Sequence, residues 1–86
     1  MAIFNNRLKS EVRINLTDGY ANQEQTVAAS TQAPAQFQIE EGSVLRVRTG
    51  DNQVPIEEES TPFDPNNGQT LRIYYDDDNE LLLRWE

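Results

Sequence analysis

The stretch TLRIYYDDDNELLLRW, residues 70–85, decides the fold. Its halves, Thr70–Tyr75 and Glu80–Trp85, flank an acidic turn and alternate with a period of two. Placing Asp76 opposite Glu80 sets Tyr75 against Leu81, Ile73 against Leu83 and Leu71 against Trp85. That face is wholly apolar and has to be core, because successive strand side chains point to opposite sides of a sheet. The other face holds Arg72 opposite Arg84 and Tyr74 opposite Leu82. This is a β-hairpin with one core side; the other is either an interface or covered by a second sheet.

The same period recurs upstream, and helical periodicity is weak. Glu11–Leu16 reads as a strand, with Val12, Ile14 and Leu16 on one face and Glu11, Arg13 and Asn15 on the other. Asp18-Gly19 follows as a tight-turn signal, and Gln23–Val27 is a further strand candidate. Phe37 and Ile39 alternate with Gln36, Gln38 and Glu40. A hairpin through Glu41-Gly42-Ser43 is expected to pair Ile39 with Leu45 and Phe37 with Val47. A one-residue slip would mix the faces. Thr49–Asn52 is expected to turn the chain into a short edge strand, Gln53–Ile56, because Pro55 has no N–H to give to a ladder. Ala28–Pro34 and Glu57–Gln69 read as loops, the latter from its prolines and Asn67-Gly68. Met1–Ser10 reads as an N-terminal arm. The expected fold is all-β: a small antiparallel β-sandwich or open barrel of about five to seven short strands. It divides into an arm (residues 1–10) and a single β-domain (residues 11–86).

Eighty-six residues suffice for one domain with a thin core. The chain has no cysteine and no histidine. Disulfides, thiolate metal sites and the commonest general base are therefore excluded. No segment approaches the roughly 20 apolar residues of a membrane span. Met1–Ser10 lacks the apolar core of a signal peptide. Virion or cytoplasm is the expected setting.

The net charge of −8 is unevenly placed. Residues 1–48 carry five bases and five acids, whereas residues 49–86 carry two bases and ten acids. Direct nucleic-acid binding is not expected of so acidic a chain, since phosphate neutralisation needs a lysine and arginine surplus.

Two sets of residues stand out as candidate sites. Asp76, Asp78 and Glu80 offer the oxygen ligands that Ca²⁺ prefers, although the loop lacks the glycine and the terminal glutamate of an EF-hand. The bland alternative is a solvated hairpin tip, and no other cofactor is expected. Arg72, Tyr74, Leu82 and Arg84 combine residue types favoured at protein interfaces. Two arginines directly opposite repel unless acids or a partner lie between them; Glu57–Glu59 are the nearest candidates in the sequence. Phe4 and Arg7 of the arm extend the same expectation, as an arm that adds to a neighbour's sheet.

No serine elbow, phosphate-binding glycine loop or metal-binding histidine pair is present, so the chain is not expected to be an enzyme. The leading expectation is a non-enzymatic structural or assembly protein. A virus or phage capsid decoration (cement) protein, or a minor virion protein, is of this type, with a homo-oligomer or larger protein shell as partner. That step is analogy from size, fold class and composition. Two alternatives follow from the same residues. One is an acidic nucleic-acid mimic that inhibits a basic protein. The other is a carbohydrate- or ligand-binding β-sandwich, which needs an exposed aromatic such as Trp85, Tyr74 or Tyr20.

Overall fold

The computed structural model describes residues 1–18, 21–50 and 56–86. Eight strands form among them: β1 (Ile3–Asn6), β2 (Val12–Asp18), β3 (Ala21–Val27), β4 (Thr31–Pro34), β5 (Val44–Thr49), β6 (Glu58–Pro62), β7 (Thr70–Tyr75) and β8 (Leu81–Trp85). A single 3₁₀ turn, Pro65–Asn67, is capped by the Asp64 side chain, which accepts from the Asn66 N–H. The strands make two four-stranded sheets, ordered β4-β1-β7-β8 (sheet A) and β3-β2-β5-β6 (sheet B). The sheets pack as a small β-sandwich, which resolves the choice between sandwich and barrel. Among the described residues no helix is long and apolar enough to cross a membrane.

The two best-patterned strand regions form as their sequences require. In β7–β8 the partners are Leu71–Trp85, Arg72–Arg84, Ile73–Leu83, Tyr74–Leu82 and Tyr75–Leu81, as the apolar face demands. Val12, Ile14 and Leu16 of β2 are all buried, and β3 pairs antiparallel with β2 from Val12–Val27 to Asp18–Ala21. The turn expected at Asp18-Gly19 runs into residues outside those described. So does most of the edge strand expected at Gln53–Ile56.

Four expectations are corrected. Residues 3–6 are not an arm: β1 lies inside sheet A, antiparallel to β4 and parallel to β7. Four residues are too few to show a period, and β1's neighbours are distant in sequence. Residues 36–40 are not a strand paired with β5. Instead β5 lies between β2 and β6, with Leu45 against Leu16 and Val47 against Ile14. Phe37 and Ile39 still turn inward and pack on the core. Alternation reports which side chains are buried, and an extended segment satisfies it without a ladder.

The other two corrections concern Ala28–Pro34 and Glu57–Gln69, which contain β4 and β6 rather than loops alone. Both are edge strands that end in proline, where a missing N–H is tolerated. Both bury little, so apolar alternation is absent from their sequences.

The core between the sheets holds Phe4, Leu8, Val12, Ile14, Leu16, Val27, Leu45, Val47, Leu71, Ile73 and Leu81. Asn6 is fully buried among them. Its Nδ2 donates to the carbonyls of Ser10, Val27 and Ala28 at 3.0–3.1 Å, and its Oδ1 accepts from the Leu8 N–H at 3.0 Å. Side chains also tie the two sheets together along the long sides of the sandwich. Gln25, also buried, donates to the Pro34 carbonyl at 3.0 Å and accepts from the Gln36 N–H at 2.7 Å. On the other side Trp85 Nε1 donates to Thr61 Oγ1 at 3.1 Å.

Candidate interaction surface

Alternation along β7 and β8 sends Leu71, Ile73 and Leu81 inward, where they are buried. It therefore turns Arg72, Tyr74, Leu82 and Arg84 to the outer face of sheet A. Asn5 of β1 lies beside Arg72 in the register. The Arg7 N–H donates to the Ile73 carbonyl at 2.9 Å, prolonging the β1–β7 ladder by one residue. The same alternation brings Arg7 to the outer face beside Tyr74. Five of the six expected interface residues thus share one surface. Phe4 is the exception: it is completely buried and belongs to the core, because Phe4 and Asn5 take opposite sides of β1.

The electrostatics of this face are one-sided. The strands of sheet A contain no acidic residue, whereas those of sheet B contain Asp18, Glu24, Glu58 and Glu59. Arg72 and Arg84 are direct cross-strand partners, a like-charge arrangement that costs stability. The Arg72 guanidinium lies 4.6 Å from the centre of the Tyr74 ring, a cation–π contact worth about 0.5–1 kcal/mol at an exposed site. Among the described residues neither arginine, nor Arg7, has a carboxylate within ion-pairing distance. Two of the three glutamates considered from the sequence have other partners. Glu58 pairs with Arg46 at 3.1 Å and Arg48 at 3.5 Å. Glu57 accepts from the Tyr75 hydroxyl at 3.1 Å.

The acidic tip is a well-made turn. Asp76 Oδ1 accepts from the N–H groups of Asp78 and Glu80, both at 2.9 Å. The Asp76 N–H donates to the Glu80 carbonyl at 3.0 Å, and Asn79 N–H to the Asp76 carbonyl at 3.1 Å. Asn79 takes the left-handed φ of 59° that this turn requires. Asp76 is therefore spent on backbone amides. Among the described residues no group of three acidic side chains is placed to hold a metal, and Asp76, Asp78 and Glu80 are not brought together as one.

Two features escaped sequence reasoning. The outer face of sheet B gathers Arg13, Arg46 and Arg48, with Arg13 directly opposite Arg48, but Glu58 and Glu24 lie among them in the same recess. Their cross-strand arrangement depends on β2 pairing with β5, which local alternation does not reveal. The second is a groove of about 480 Å³ between β6 and β8, lined by Glu57, Glu59 and Glu80 over Leu81 and Leu83. Burial raises the pKa of Tyr75, which donates to Glu57, above its ordinary value; a hydrogen bond with Thr49 opposes this, and Glu57 adds to it.

No family model matches the chain, and no curated protein or solved structure matches it either.

Proposed function

We propose that this is a non-enzymatic assembly protein that uses the outer face of sheet A, built from Arg7, Arg72, Tyr74, Leu82 and Arg84, to bind an acidic protein surface. The observation that carries the reading is the pair Arg72–Arg84. Two arginines are direct cross-strand partners, with no acid in any described strand of their sheet, in a protein of net charge −8. Repulsion within the pair is relieved when carboxylates from a partner come between them, and arginine is suited to that contact by its fork of donors. Tyr74 and the exposed Leu82 add apolar area beside the charges. The partner is a homo-oligomer or a larger protein shell, a virus capsid being one such setting.

Light scattering after gel filtration at physiological salt tests this, with the melting temperature measured in parallel. Arg72→Glu is expected to abolish concentration-dependent assembly while moving the melting temperature by only a few degrees. A variant that melts far lower but assembles as before would make Arg72 a structural residue and overturn the reading. A clean 9.8 kDa monomer at every concentration would remove self-assembly and direct the search to a basic partner of the acidic loops.

A further inference from the structure

The face of sheet A has a complement on the same molecule. The tip of the β7–β8 hairpin exposes Asp77, Asp78 and Glu80, and among the described residues none of them has an ion pair. The turn is preformed by four hydrogen bonds centred on Asp76, so presenting these carboxylates to a partner costs little further ordering. The tip does not reach Arg72 or Arg84 within one chain. Arg72 and Asp76 are four residues apart on an extended strand, about 13 Å along it, and a hairpin cannot fold back onto its own face. The tip meets those two arginines only between molecules.

We propose that the tip carboxylates Asp77, Asp78 and Glu80 of one copy dock on the Arg7–Arg72–Arg84 face of a second copy, joining the molecules head to tail. The inference rests on the reading of that face as a contact surface and names its occupant. Sheet B is the poorer acceptor, since its Arg46 and Arg48 already share Glu58 and Glu24 lines the same recess as Arg13. Tip and face are different surfaces, so the contact is heterologous. It propagates into rings or open chains and does not stop at a dimer.

Charge-swap complementation tests this by sedimentation velocity at physiological salt. Wild type is expected to pass through dimers to larger species as concentration rises. R72E/R84E and D77R/D78R are each expected to weaken self-association at least about tenfold. An equimolar mixture of the two is expected to associate again, because each variant then offers the charge that the other lacks. Arg13→Glu changes the net charge by the same amount per residue on the opposite face and is expected to associate like wild type. Arg84→Glu alone, at an exposed position, serves if the double variant fails to fold.

If R72E/R84E is monomeric but D77R/D78R associates normally, the face is a contact surface whose occupant is something else, and this inference falls alone. If R72E/R84E associates normally, both readings fall. A monomeric wild type, or an Arg13→Glu variant as weak as R72E/R84E, overturns the inference as well.

Discussion

Phe4 and Asn6 show how much one turn of register decides. Both project inward from β1 and both are fully buried, yet one is apolar and the other serves four backbone groups. Phe4→Ala is expected to cost about 3–5 kcal/mol, the range for emptying an aromatic site in a core, as read by urea unfolding. A loss below about 1 kcal/mol would restore the arm. Asn6→Ala leaves three carbonyls and one N–H without their partner, and is expected to cost about 2–4 kcal/mol in the same measurement. Tyr75 sets a different dependence. Its phenol pKa is raised in the folded state, first by burial and then by Glu57. The stability it contributes is fully present below the ordinary tyrosine value of about 10 and is lost as pH rises through the folded value. Between pH 9 and 11 wild type is expected to lose more stability than Tyr75→Phe; parallel melting curves would show that Tyr75 does not carry the effect.

Among the elements, legibility in the sequence follows burial. The β7–β8 register could be read residue by residue because one face is wholly apolar and a slip would expose it. β2 was legible for the same reason, through Val12, Ile14 and Leu16. β4 and β6 were not, because an edge strand buries little and the apolar pattern has nothing to mark. Glu59 illustrates this: it sits opposite Val47, on the inward side of an edge strand, where a charge discourages pairing with another chain. Gln25 bonds β3 to the end of β4 and to the segment after it. Gln25→Leu is expected to release the Gln36 amide, and hydrogen exchange at Gln36 should accelerate toward that of an unprotected loop. Unchanged protection there would mean that backbone contacts, not the Gln25 amide, hold the two sheets together on that side.

At the scale of the whole molecule the charges are sorted by place. Five of the six arginines lie in strands and Arg7 directly follows one, while most carboxylates occupy turns, loops and edges. A plate 32 × 26 × 19 Å in extent thus shows arginines on its broad faces and acids around its rim. Copies of it repel at long range, through the net charge of −8, and on the proposed head-to-tail contact they attract only when close. The Debye length separates these ranges: it is about 30 Å at 0.01 M salt, 8 Å at 0.15 M and 3 Å at 1 M. Self-association is therefore expected to be strongest near physiological salt and weaker at both extremes. A monotonic rise or fall, followed by light scattering across that range, would show that one range of force acts alone.

By itself the sequence determined the all-β class, the inward residues of β2, β7 and β8, the Arg72–Arg84 and Tyr74–Leu82 pairs and the acidic rim. Each of these depends on neighbours a few residues apart, joined by alternation or by a short turn. Only the tertiary structure decided that β1 is an inner strand lying parallel to β7, that β5 is flanked by β2 and β6, and that Arg13 faces Arg48. It also decided that Glu58 takes Arg46 and Arg48, and that Arg72 and Arg84 have no ion pair among the described residues. Those facts depend on which distant strands become neighbours, a choice made by packing two sheets around one core, and period-two alternation carries no record of it.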